Sequence, residues 1–282
     1  MQILGAHKSI AGGLHRAFER GDAIGCDTMQ IWVKNPRQWR APPLTETEIR
    51  AFQAARQASE IAPVVAHAAY LINIASPKPA LWEKSIRALI TEIERCEALD
   101  VPYLVLHPGA HTGSGMRAGL ERAAQALDRV HAATPGFIPR ILLETMAGQG
   151  STLGGDFEGL AHILAHVKEH ERLGVCLDTC HVFVAGYDLR TAAGYEATIT
   201  AFEQALGLDR LQVMHLNDSR YPLSSHKDRH VHIGTGELGV GAFRRLLNDP
   251  RLAGIPGILE TPKGKDAVED RENLAILRSL IE

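Results

Sequence analysis

Six residues share one kind of placement: His67, His107, Glu144, Asp178, His215 and Glu260 each close a short apolar run rich in Val, Ile and Leu. Successive members lie 40, 37, 34, 37 and 45 residues apart, and all are imidazoles or carboxylates, with no Lys, Ser or Asn among them. A strand stops where polarity starts, so one such residue needs no chemical explanation. Six that could all bind a cation point to a metal site. Two local clusters extend the set, Asp178-Thr-Cys-His181 and Asp228-Arg-His230. Residues two apart on an extended segment point the same way, so Asp228 and His230 would face one partner. Either cluster alone reads as a solvated loop, and Asp178 alone as a helix cap. Together the nine donors are too many for one ion and enough for three, with one carboxylate bridging a pair. Nitrogen and oxygen donors without thiolates in tetrahedral spacing suit catalytic zinc or manganese rather than a structural zinc.

Charge counting narrows the chemistry. Three divalent ions would outweigh the carboxylates of Glu144, Asp178, Asp228 and Glu260 by two charges, which a phosphodiester oxyanion and a hydroxide would neutralise. Clustered ions bring the pKa of bound water towards about 7 and clamp the attacking and leaving oxygens of an in-line displacement. Phosphoryl chemistry is therefore favoured over carbonyl chemistry. A formal net charge of -3 argues against nonspecific coating of nucleic acid. A local basic face is still open to Lys8, Lys34, Arg37, Arg40, Arg220, Lys227, Arg229, Lys263 and Lys265, which fall in the loops beside the donors.

Bringing such spaced residues together requires a fold that returns to one place with every unit. Apolar runs recur at Gln2 to Gly5, Met29 to Val33, Pro63 to Ala66, Tyr103 to Leu106, Arg140 to Leu143, Leu173 to Leu177, Leu211 to Met214 and Gly257 to Leu259. Helical patterns follow them at Leu14 to Arg20, Thr45 to Ser59, Pro79 to Leu99, Met116 to Ala133, Phe157 to Lys168, Tyr195 to Leu206, Ala242 to Leu247 and Val268 to Ile281. Thr45 with Glu48 makes a capping box for the second of these. Eight βα units without a linker in 282 residues predict one α/β domain over 1–282, a (β/α)8 TIM barrel whose active site is the C-terminal rim of the strands. The longest stretch free of charged residues, Ile61 to Pro77, holds two prolines, His67 and Asn73, so no membrane span is expected. With no secretory pattern at Met1 to Leu14, a cytoplasmic location is expected, and Cys26, Cys96, Cys176 and Cys180 read as buried thiols.

Over nearly its whole length the sequence resembles the endonuclease IV family of apurinic/apyrimidinic endonucleases. The segments that carry this are His67-Ala-Ala-Tyr-Leu-Ile-Asn73, Gly174-Val-Cys-Leu-Asp-Thr-Cys-His181 and Met214-His-Leu-Asn-Asp-Ser219 leading to Asp228-Arg-His230. Shorter matches are Gly5-Ala-His7, Lys34-Asn-Pro-Arg-Gln-Trp39, His107-Pro-Gly109, Glu144-Thr145 and Leu259-Glu-Thr261. The resemblance implies a trinuclear zinc enzyme, with manganese admissible at one or more sites, that cuts double-stranded DNA 5′ to an abasic site. The products would be a 3′-hydroxyl and a 5′-deoxyribose phosphate. It further implies that Glu144 bridges two ions, that His67 and His107 complete the first, and that Asp178, His215 and Glu260 complete the second. His181, Asp228 and His230 would hold the third. The bridged pair would supply a hydroxide nucleophile, with Glu144 and Glu260 as catalytic groups. Arg37, Tyr70 and Leu71 would enter the duplex and open the lesion. A monomer without a nucleotide cofactor or membrane partner is expected.

Two positions depart from the family pattern: Arg220 stands where Lys is usual, and Ser224 where Gly is usual, which puts the shape of the loop before Asp228 in question. Gly234-Thr-Gly-Glu-Leu-Gly239 fits a dinucleotide fingerprint but does not directly follow a strand, so it reads as backbone bends. His7 is expected near the metals, and the remaining histidines in solvated positions. The rival enzyme class is a divalent-metal sugar isomerase or epimerase on a similar barrel, disfavoured by the extra His181, Asp228 and His230 set. A metal-dependent DNA-binding module without catalysis is the third reading.

Overall fold

Strands that read as unbroken apolar runs are buried on both faces, as in a parallel sheet walled by helices. The computed structural model describes residues 2–264 and 266–282. Its strands are β1 (Leu4–Lys8), β2 (Thr28–Trp32), β3 (Val64–His67), β4 (Tyr103–Leu106), β5 (Arg140–Glu144), β6 (Leu173–Asp178), β7 (Leu211–His215), β8 (Asp218–Ser219), β9 (His230–Val231) and β10 (Gly257–Leu259). The first seven and β10 close into an all-parallel eight-stranded barrel, sealed by Leu4 of β1 against Gly257 of β10. The two short strands β8 and β9 pair antiparallel as a separate ribbon. The helices are α1 (Arg16–Asp22), α2 (Glu46–Gln57), α3 (Pro79–Ala98), α4 (Met116–Ala133), α5 (Phe157–His166), α6 (Thr179–Ala185), α7 (Ala192–Leu206), α8 (Gly239–Leu247) and α9 (Val268–Ser279). None of the described helices is long and apolar enough to cross a membrane.

The barrel interior explains why the donors converge. Val65, Val105, Leu142, Cys176, Val213 and Ile258 form one small buried cluster, distinct from the large core between strands and helices. Strand side chains alternate between faces, so the residue two further along each strand points into the barrel as well. Those residues are His67, His107, Glu144, Asp178, His215 and Glu260. Each donor is thus the next rung above an apolar layer, and the closed sheet aims all six at one volume.

Several elements differ from expectation. β1 runs to Lys8 instead of stopping at Gly5, because the ladder to β2 continues through His7 against Gln30 and Lys8 against Ile31. The helix α6, whose apolar Val182-Phe-Val-Ala185 follows β6 with no turn signal between them, and the short β8–β9 ribbon are additional to the expected elements. Asp178 ends β6 and then caps α6 by accepting from the His181 N–H at 2.8 Å, so strand passes to helix with no loop. The expected capping box of Thr45 and Glu48 is present, and all four cysteines are buried and free.

Candidate metal centre

Glu144, fully buried at the end of β5, is the hub. Its Oε2 lies 3.1 Å from His67 Nε2 and 3.0 Å from His107 Nε2, while Oε1 lies 3.0 Å from His215 Nδ1 and 3.4 Å from His181 Nδ1. Burial alone would push this carboxyl up. The charges of His107 and His215 and hydrogen bonds from His107 and His181 instead hold it well below the ordinary carboxylate range.

Donor atoms close enough to share one ion form overlapping groups. His67, His107 and Glu144 make one, Glu144, Asp178, His215 and Glu260 a second, and Asp178, His181 and His230 a third. Asp228 lies 3.3 Å from both the His181 and His230 Nε2 atoms and also forms a group with His230 and Cys180. All nine expected donors therefore meet in one place, with Asp178 in the second group as expected and also within reach of the third. The residues fit a bound metal. Nε2 of His181 and Nε2 of His230 are buried without a hydrogen-bond partner among the described residues, and the donors are the imidazoles and carboxylates that borderline cations take.

Neighbouring groups fix how the candidate donors point. His67 Nδ1 donates to the Ala68 carbonyl at 2.8 Å, which leaves Nε2 facing Glu144. His215 Nε2 donates to Gln30 Oε1 at 2.8 Å, leaving Nδ1 for the cluster, and Gln30 Nε2 donates to Glu260 Oε1 at 2.6 Å. Asn217 donates to Asp178 Oδ2 at 2.7 Å and accepts from the Glu260 N–H at 2.8 Å. Such partners set tautomer and orientation in metal sites. Gln30 and Asn217 lie outside the expected donor set. Gln30 had a signal, a lone amide inside the apolar run Met29 to Val33, where both faces of a barrel strand are buried. His7, expected beside the metals, sits 3.6 Å from Glu260 Oε1.

The residues expected to open a lesion occupy the rim in different degrees. Arg37 is exposed, and Tyr70 is 66% exposed although it rises from the buried β3 end. Its ring packs edge-on against Trp32, 4.9 Å away, and Trp32 also packs edge-on against His67 at 5.0 Å. Leu71 is half-buried. The expectation for the loop cations needs correction. Lys8 is buried against Asp270 at 2.7 Å and Lys34 against Glu92 at 3.0 Å, so neither can track a nucleic-acid backbone. Lys263 is tied to Asp270 and the His7 carbonyl, both at 2.8 Å. Arg40, Arg220, Lys227 and Arg229 are exposed, and Lys265 lies outside the described residues.

Two sequence features resolve into backbone geometry. Ser224 takes φ +60°, the left-handed conformation a Gly would adopt without cost. The Gly234 to Gly239 segment does wrap an anion, the buried Asp218 carboxylate, which accepts from the N–H groups of Gly234, Gly236, Leu238 and Gly239 at 2.9 to 3.3 Å. This clamp holds the turn against β8, whose Ser219 pairs with His230 on β9.

Comparison with known proteins agrees with this architecture. The family model described as xylose isomerase-like TIM barrel matches residues 18–280. A protein named probable endonuclease 4 from Chloroflexus aurantiacus is 54% identical over 282 residues, which is 100% of this chain and 99% of that one. The crystal structure of endonuclease IV from Thermus thermophilus superposes with a TM-score of 0.86 at 40% identity, covering 98% of each chain. A D-tagatose 3-epimerase-like protein superposes with a TM-score of 0.75 at 20% identity, over 98% of each chain, a likeness of fold alone.

Proposed function

The chain belongs to the endonuclease IV family, and from that premise we propose that it is a DNA-repair endonuclease that hydrolyses the phosphodiester 5′ to an abasic site in duplex DNA. Cleavage of the P–O3′ bond leaves a 3′-hydroxyl on one side and a 5′-deoxyribose phosphate on the other. We further propose three zinc ions, with manganese admissible. The first would be held by His67, His107 and Glu144, the second by Glu144, Asp178, His215 and Glu260, and the third by His181, Asp228 and His230. Once bound, such ions supply Lewis acidity and ease the ionisation of water near neutral pH. The protein acts as one domain over residues 1–282, as a monomer, in the cytoplasm with access to chromosomal DNA.

The chain's own residues divide the remaining work. Glu260, its Oε1 fixed by Gln30 and its backbone N–H by Asn217, takes the proton of the attacking water as the second catalytic carboxylate beside Glu144. Gln30 keeps His215 in one tautomer. Arg37, Tyr70 and Leu71 enter the duplex, where an abasic nucleotide, lacking pairing and stacking, is extruded at less than the few kcal/mol an intact base requires.

The observation that carries this reading is the overlap of the donor groups on Glu144. Its test is metal analysis beside incision of a duplex containing one synthetic abasic analogue, for the unsubstituted protein and Glu144→Ala. Incision with about three equivalents of zinc is expected, and loss of more than one equivalent in the variant, because two groups share that carboxylate. Full metal occupancy in Glu144→Ala would refute the bridge. Epimerisation of a ketose without DNA cleavage by the zinc-loaded protein would replace the nuclease reading altogether.

A further inference from the structure

The loop between β2 and α2 does not lie free on the surface. Arg95 of α3 donates from Nε to the Val33 carbonyl at 2.6 Å and from Nη1 to the Pro42 carbonyl at 2.8 Å, clipping both ends of the loop to one side chain. Between them, Lys34 Nζ donates to the Gln38 carbonyl at 2.6 Å and pairs with buried Glu92, also on α3. The loop and α3 therefore form one built surface, and its outward side is cationic. Lys84 Nζ sits 4.2 Å above the Trp39 ring, and Arg40 and Arg87 are exposed beside it. These residues and Thr91 line a hollow of about 460 Å³ whose wall, among the described residues, includes no carboxylate. A nearby acid, Glu83, is engaged by Arg129 in a two-pronged pair at 2.5 and 2.9 Å and stands 4.0 Å from Arg87.

This concave surface carries three cations with no carboxylate among its lining residues, and it is continuous with the loop that carries Arg37. Arg40 is three residues from Arg37, and Glu92 also receives the Ala69 N–H at 3.1 Å, beside Tyr70. We infer that Arg40, Lys84 and Arg87, braced by Trp39, form a second DNA-binding surface that holds backbone phosphates of the duplex away from the scissile bond. The inference rests on the nuclease reading and extends it to the path of the flanking DNA. Phosphate contacts fix register and are blind to sequence, and they are also blind to a missing base. This surface therefore adds affinity for any duplex, whereas Arg37 discriminates the lesion.

The test is the salt dependence of binding, read by fluorescence anisotropy on an intact duplex and on one carrying an abasic analogue, with the metal-loaded protein. The variants are Arg40→Gln, Lys84→Gln, Arg87→Gln and their combination, which keep the side-chain stems and so the packing on Trp39. Arg244→Gln on α8 serves as a one-charge control elsewhere, matched to each single variant. Every phosphate that is no longer neutralised should lower the steepness of log affinity against log salt by about 0.9. The combined variant should lose about two to three in slope, equally on both duplexes, and the control none. The single variants read the effect should the combination not fold. Unchanged slopes, or a loss confined to the abasic duplex, overturn the inference while wild-type incision leaves the nuclease reading standing. A wild-type protein that neither binds nor cuts the abasic duplex removes both.

Discussion

One buried ion pair joins the two loops proposed to open the lesion. Lys34 holds the Gln38 carbonyl beside Arg37, Glu92 holds the Ala69 N–H beside Tyr70, and the two side chains, 2% and 1% exposed, meet at 3.0 Å. Removing one partner from such a pair costs about 3 to 5 kcal/mol, because the other charge stays buried without compensation. Glu92→Gln leaves the Lys34 ammonium facing an amide and should lose that full amount. In a chain of this size the loss corresponds to a fall in melting temperature of roughly 5 to 8 °C. Lys34→Met should behave differently. Burial pushes the Glu92 carboxyl above its ordinary 4.5, and Lys34 pulls it only part of the way back. Without the lysine, the folded-state value rises further while the unfolded value stays, so between the two the folded chain holds a proton that the unfolded chain has released. Stability then falls as pH rises through that window. Lys34→Met should therefore be mild near pH 5 and worsen towards pH 8, whereas Glu92→Gln, with no carboxyl left to titrate, should not follow that trend. Denaturant unfolding at both pH values, each compared with the unsubstituted protein under equal zinc, reads the difference. Equal losses for Lys34→Met at both pH values, or a loss that shrinks as pH rises, would refute the reasoning.

Ser224→Gly should raise stability by up to about 1 kcal/mol, because a left-handed L-residue costs about 1 to 2 kcal/mol and the added freedom of Gly in the unfolded chain returns part of it. Ser224→Val should move the denaturant midpoint the other way, and a lower midpoint for the glycine variant would contradict the assignment. Gly236→Ala would place its Cβ 2.3 Å from the Ser219 carbonyl oxygen and 2.5 Å from Asp218 Oδ1, both on the rigid ribbon, so the Asp218 clamp must open. The expected result is about 1 to 3 kcal/mol of lost stability and lower metal content, since β9 carries His230. Unaltered metal content in this variant would show that the clamp does not position the third group.

How much of this was legible depends on which physical signal each residue sends. The six strand-end donors announce themselves because a barrel strand is apolar until its last inward rung, so polarity and geometry change at the same residue. Gln30 sends the same kind of signal one rung earlier, inside a run, where attention to run ends passes over it. Trp32, which backs both Tyr70 and His67, looks like ordinary strand core until the ring packing is seen. Charge is the least legible quantity, because a sequence displays a lysine but not its partner. Lys8 and Lys34 stand in rim loops by number, yet their acids, Asp270 and Glu92, lie on α9 and α3 and draw them inside. The Gly234 to Gly239 segment makes the same point about anions. Its glycines do turn backbone amides towards a negative group, as the spacing suggests, but the group is Asp218 of this same chain. A glycine pattern specifies where the N–H groups point, and only the tertiary fold decides whether a cofactor or a neighbouring carboxylate reaches them first.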